Sequence, residues 1–296
     1  MSKIENQQDS QEERDEAVSR REFLEKSANL AAGGAALLTT AAASTAAQGE
    51  KKDPGSIRRT PPRESARGEM IEYQSGDRAI PAYLSRFMKN KHAPGVIVIH
   101  EVFGLNEHIK SICDRLALEG YAALAPDLFV RASTPPPKDA SDMAALRKAA
   151  SSIPNEVAIK DMQAGLDYLK TVKGVRRRFG SIGFCMGGGY SYQLATHTKD
   201  LSGAVIFYGR TPLELVQQVS CPLLGSFGEL DQGIPPEKVQ EFERALKAAG
   251  KSANIKVYKG AKHGFFNDTR PEAYNAEAAA DAWQRTLAFF HAHLMK

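Results

Sequence analysis

Cysteine and tryptophan are the scarce residues of this 296-residue chain, which has three of the first and one of the second. Cys113, Cys185 and Cys221 are odd in number and far apart, which excludes a disulfide framework and a closely spaced zinc cluster and leaves at least one thiol free in a monomer. A dominant charge is missing too: 39 Lys/Arg against 35 Asp/Glu give +4, spread along the chain except for GVRRRFG at 174–180. The basic stripe of a nucleic-acid binder is therefore absent, and Arg176, Arg177 and Arg178 are expected in a solvated loop before a strand. No hydrophobic run is long enough to hold a membrane span, which needs about 20 predominantly apolar residues. The nearest approach, ANLAAGGAALLTTAAASTAA, is diluted by small and polar residues. No internal repeat at a fixed period is visible.

What is present is 42% apolar and 25% charged residues, enough for a sizeable core in one catalytic-size domain with extensions. The extension is N-terminal. After a polar, acidic start, Ser19, Arg20, Arg21, Glu22, Phe23 and Leu24, with Lys26 following, resemble a twin-arginine export signal. Residues 1–47 are expected to be that signal, with cleavage near Ala43 to Ala47, the Tat export machinery as partner and a periplasmic or secreted destination. Without them 34 basic and 27 acidic residues remain, a charge of +7 that suits anionic small substrates. Residues 48–68, QGEKKDPGSIRRTPPRESARG, read as a flexible Pro/Gly linker, and 69–296 as the folded domain.

Within that domain strands alternate with helices. MIEYQSGDRAIPAYLSRF reads as a hairpin turning at Ser75 to Asp77, and PGVIVIHE as a strand buried on both faces. A helix from about Asn106 to Glu119 leads to the strand YAALAPD. Helices at 139–149 and 155–172 precede RFGSIGF, a helix from Gly187 to His197, then GAVIFYG and CPLLGSFG. A helix from Pro236 to Ala249, the strand NIKVYKG and a last helix from about Pro271 to His293 complete the pattern. This order predicts an α/β fold with a mostly parallel central sheet and helices on both faces. The prolines of VRASTPPPKDASD mark a surface excursion after a strand end.

One junction carries chemistry. In GFCMG, Cys185 ends a strand and opens a helix, with glycine two residues before and two after. That is the spacing of a nucleophile elbow, and a helix N-terminus there favours the reactive thiolate. A thiol nucleophile needs a base and an orienter, found further along the chain in this fold. Asp231 in GELDQGIPP and His263 in AKHGFFND each follow a strand's carboxyl end, where open α/β sheets assemble sites. Glu229 and Asp268 compete with Asp231 as orienter. His291 and His293, two apart on a helix, point apart and are poor metal ligands. Cys113 and Cys221 read as buried small residues.

Taken as a set and in order, IHEVFGLN, APDLFVR, GFCMGG, FYG, GELDQGIPP and AKHGFFND resemble the dienelactone hydrolase (carboxymethylenebutenolidase) family of α/β-hydrolases from about Met70 onward. The resemblance implies the α/β-hydrolase fold and a triad of Cys185, Asp231 and His263. It further implies that Glu101 contacts the resting thiol and controls its ionisation, and that Arg131 and Tyr208 bind substrate. The oxyanion hole would combine the Met186 N–H with, by resemblance, that of Val102. The expected reaction is hydrolysis of a small lactone or ester through a thioester, chemistry that needs no metal or organic cofactor. A second arginine expected four residues after the histidine is replaced by Asn267, which weakens a bidentate carboxylate clamp. Phe265 and Phe266 are read either as an apolar substrate wall or as core. The competing reading is a binding scaffold on a hydrolase fold.

Overall fold

The computed structural model describes residues 68–87, 92–137 and 141–295. The signal expected over 1–47 and nearly all of the linker expected over 48–68 lie outside the described residues. The first strand, β1, is Glu69–Ser75, and it pairs antiparallel with β2 (Arg78–Ser85) across a two-residue turn. Gly76 takes φ +57 there, the left-handed geometry such turns require.

Then follow β3 (Ala93–Ile99), α1 (Glu107–Leu118), β4 (Ala122–Pro126), α2 (Met143–Ser151), α3 (Asn155–Thr171), β5 (Val175–Phe184) and α4 (Met186–His197). The chain closes with β6 (Leu201–Phe207), β7 (Leu223–Gly228), α5 (Pro236–Ala248), β8 (Ala253–Tyr258) and α6 (Ala276–Leu294). The eight strands form one sheet in the order β1-β2-β4-β3-β5-β6-β7-β8, parallel from β4 through β8.

Alternation along the strands assigns each residue to a face. Val96 and Val98 point into a core shared with Ile109, Ile112 and Leu116 of α1 and Trp283 and Phe290 of α6. Ile97 and Ile99 point the other way, into the core made by Met162 and Leu166 of α3, Leu194 of α4 and Phe242 of α5. Every residue of β3 is buried, so a strand covered on both faces has no use for a polar stripe. The result is the expected α/β fold, a mostly parallel central sheet with a core and helices on each face.

Two expectations are corrected. Arg176, Arg177 and Arg178 belong to β5, whose first half pairs with the start of β3 (Pro94 opposite Arg176) while Arg177 and Arg178 stay exposed. The last helix begins at Ala276, not near Pro271, because the Asn275 side chain caps it by accepting from the Ala278 N–H. Phe265 and Phe266 are buried against Phe207, Tyr258 and Trp283 and belong to the core.

Candidate active site

The parallel strands end along one edge, and the site is built from their last residues. β5 delivers Cys185 at φ +54 and ψ −116, a backbone conformation that a side chain strains to adopt. Close packing enforces it: a Cβ on Gly187 would lie 2.2 Å from the Ile99 carbonyl oxygen, and one on Gly183 1.9 Å from that of Gly187. The turn therefore admits glycine alone at both positions and lifts the partly exposed Cys185 to the N-terminus of α4. Met186, first in that helix, has no carbonyl four residues back within the helix, so its N–H is available to an anion.

Asp231 lies three residues past β7 and is buried. Its Oδ1 accepts from the N–H groups of Gly233 (2.8 Å) and Ile234 (3.0 Å), which leaves Oδ2 for His263, whose Nδ1 donates to it at 2.6 Å. Burial pushes the His263 imidazole down, but the hydrogen bonds to Asp231 and to Cys185 prevail and raise it to about 10. His263 and Asp231 are thus hydrogen-bonded to each other, and both line one cleft with Cys185. The two competing orienters are occupied elsewhere, since Glu229 accepts from the Gly260 N–H and Asp268 binds His108.

Glu101 is fully enclosed just after β3, and burial raises its carboxyl above the usual range, opposed by His108, Asn267, His263 and Arg270. Its Oε2 accepts from Asn267 Nδ2 at 2.6 Å and its Oε1 from the Tyr208 hydroxyl at 3.4 Å. Both oxygens thus accept from other side chains, and Glu101 lines the same cleft as Cys185. The Asn267 amide is oriented by Thr269, which donates to its Oδ1 through both N–H and hydroxyl. Behind Glu101, the buried His100 accepts from the Leu128 N–H at Nε2, so its Nδ1 carries the proton and donates to the Glu101 carbonyl at 2.7 Å.

Tyr208 follows β6 with φ +37, and its ring packs 5.1 Å from that of His263. Among the described residues, Cys185 and Tyr208 are the two non-glycine positions with positive φ, and they end adjacent strands. Both line a cleft of about 1570 Å³ that also includes Glu101, Val102, Met186, Asp231 and His263.

Arg131 is a correction. Its guanidinium binds buried Asp161 through two nitrogens (2.9 and 3.0 Å), Asp77 at 3.1 Å and the Ser75 carbonyl at 2.9 Å, and it does not line the cleft. Cations that sequence reasoning passed over do line it. Arg147 of α2 and Arg210 are exposed and have no ion pair among the described residues, while Arg270 pairs with Glu272 and lies over the Phe103 ring. Nothing in the sequence flagged Arg147, because only the fold brings α2 to the cleft. Among the described residues no group of three or more His, Cys, Asp or Glu is placed to hold a metal ion, and no helix is long and apolar enough to cross a membrane.

Comparison with known proteins agrees with this construction. The model of the dienelactone hydrolase family matches residues 80–294. A carboxymethylenebutenolidase-like protein of Escherichia coli O157:H7 is 37% identical over 224 residues, covering 71% of this chain and 82% of its own. One of Saccharolobus solfataricus is 38% identical over 258 residues, covering 74% and 96%. The crystal structure of a dienelactone hydrolase-like protein from Klebsiella pneumoniae superposes with a TM-score of 0.71 at 33% identity, covering 75% of this chain and 97% of its own.

Proposed function

This chain belongs to the dienelactone hydrolase family and is a lactone or ester hydrolase, and from that premise we propose that it works through a Cys185–His263–Asp231 triad and a thioester acyl-enzyme. The observation that carries the reading is the strained Cys185 backbone at a helix N-terminus, facing one cleft with a histidine hydrogen-bonded to a buried aspartate. A packed core cysteine needs neither the strain nor the partner.

His263, held in one tautomer by Asp231, takes the Cys185 proton, and Sγ attacks the substrate carbonyl. The N–H groups of Met186 and Val102 receive the oxyanion. Collapse of the tetrahedral adduct expels the alcohol or ring oxygen, which takes its proton from His263. Water deprotonated by His263 then cleaves the thioester. Tyr208, packed on the His263 ring, keeps that ring from tilting off the line between Asp231 and Cys185.

Substrates are carboxylic esters or lactones with an anionic end, met by Arg147 and Arg210 rather than by Arg131. The protein acts outside the cytoplasm: residues 1–47 direct it through the Tat machinery as folded cargo.

The test is hydrolysis of p-nitrophenyl acetate and a lactone panel by the wild type and Cys185→Ala, with iodoacetamide adducts located by mass spectrometry. Loss of turnover with selective labelling at Cys185 is the expected result. Undiminished turnover in Cys185→Ala would remove the nucleophile and the reading with it.

A further inference from the structure

The amino ends of the parallel strands hold a basic cavity that the chemistry at Cys185 does not use. It encloses about 340 Å³, and four of its lining residues are cations, Lys170, Arg177, Arg178 and Lys199, against one acid, Asp200. Arg177 lies near the start of β5 and Cys185 just past its end, on the order of 25 Å apart along an extended strand.

Two irregularities in the sheet build the cavity. On β3 Pro94 pairs with Arg176 but the next residue, Gly95, pairs with Phe179, so Arg177 and Arg178 are extra residues of β5. On β5 Phe179 pairs with Leu201 but Gly180 pairs with Gly203, so Ser202 is an extra residue of β6. A bulge takes a side chain out of the alternation of the pleat and re-aims it. The three residues that these bulges release are ones that line the cavity. Phe179, also in the lining, is held between them, for a Cβ on Gly95 would lie 2.7 Å from its ring.

The charges there are unbalanced. Lys170 Nζ binds Asp167 and Asp200, each at 2.7 Å, so the one acid of the cavity is already taken by one of its cations. Arg177, Arg178 and Lys199 are exposed and have no ion pair among the described residues. Like charges gathered this way repel, and an anion placed among them removes that cost. A guanidinium fork matches the edge of a phosphoryl group, and the Ser202 hydroxyl adds one more donor. The volume lies at the low end of the range for small-molecule pockets, which suits a compact ligand rather than a charged polymer.

We propose that this cavity is a binding site for a small dianionic oxyanion, inorganic phosphate or a low-mass phosphate monoester, held by Arg177, Arg178 and Lys199 with Ser202. It is separate from the active-site cleft and stands whether or not Cys185 is the nucleophile.

The experiment titrates the full-length protein with inorganic phosphate and with glycerol phosphate in a zwitterionic buffer, read by calorimetry and by melting temperature, against sodium chloride at matched ionic strength. Saturable binding and a raised melting temperature are expected for the wild type. The double variant Arg177→Gln/Arg178→Gln should weaken binding about tenfold or more, and Lys199→Gln by less. Both should hydrolyse p-nitrophenyl acetate at the wild-type rate. Tighter binding of the ester supports the site and places the organic remainder in it, and equal affinities support it with free phosphate as the ligand. Binding no better than that of chloride, or undiminished in the double variant, would overturn the proposal. So would its loss in Arg147→Gln/Arg210→Gln, which would put the ion in the active-site cleft. Should the double variant melt early without phosphate, Lys199→Gln decides, since Lys199 is exposed and outside any helix or strand.

Discussion

Replacing Asp231 by asparagine tests the site at its most constrained point. Asp231 Oδ1 accepts two backbone N–H groups, from Gly233 and Ile234, while Oδ2 accepts the Nδ1 proton of His263. An asparagine has one acceptor oxygen and one donor nitrogen, and two fixed N–H donors will claim the oxygen. Its NH₂ must then face His263 Nδ1 and can be satisfied only if that nitrogen gives up its proton. The ring is driven into the tautomer protonated at Nε2, where it cannot take the thiol proton. Loss of the correct tautomer and of the carboxylate charge should cost about 10³-fold in kcat/KM, roughly 4 kcal/mol of transition-state stabilisation. Backbone geometry is preserved, so the melting temperature should change little. Initial rates on p-nitrophenyl acetate with a circular-dichroism melt read both quantities. Activity within threefold of wild type would refute the argument, for it would mean that the 2.6 Å hydrogen bond does not select the tautomer.

Other consequences are as specific. Arg131→Ala should leave KM within twofold but lower stability by about 3 kcal/mol, because it strands the fully buried Asp161; a raised KM with unchanged melting would restore Arg131 to the substrate. Arg210→Gln should raise KM several-fold for esters bearing a carboxylate and leave neutral esters unchanged, and equal effects on both would argue against an anion contact. Gly187→Ala should destabilise by about 3 kcal/mol or fail to fold, since the new methyl meets the Ile99 carbonyl at 2.2 Å; a soluble variant with wild-type melting would contradict the packing. Under native conditions iodoacetamide should modify Cys185 well before Cys113 and Cys221, both buried, with burial raising both thiols and pushing Cys221 up to about 12; comparable labelling rates at all three would refute this.

The parallel strands were legible because burial on both faces forces continuous apolar runs, as in VIVI of β3, and the elbow was legible because its glycines answer steric contacts within a few residues. The start of β5 was not. Arg177 and Arg178 are exposed on this strand and half-buried Arg176 donates to the Leu294 carbonyl, and nothing local separates that from a loop. Pro271 suited a helix start, but the chain stays irregular to Asn275, whose N–H donates to the Phe265 carbonyl. Asp231 and His263 were found from chain order and strand ends. Arg131, His108 and Asp268 were beyond that method: the partners of Arg131 are 30 and 54 residues away and those of His108 160, and sequence spacing carries no trace of such pairs.

The strained backbone at Cys185 and Tyr208 has an evolutionary side. Holding a side chain at positive φ costs on the order of 1–3 kcal/mol, a sizeable share of the 5–15 kcal/mol by which domains stay folded. Glycine at position 185 would relieve that strain and be more stable, and on the proposed mechanism inert. Drift under selection for persistence alone would shed the thiol early, whereas selection for turnover must keep refusing that stabilising change. If the proposed mechanism holds, the elbow makes the resting cysteine a running record of use, and a lineage in which the activity lapses is expected to show it first at position 185.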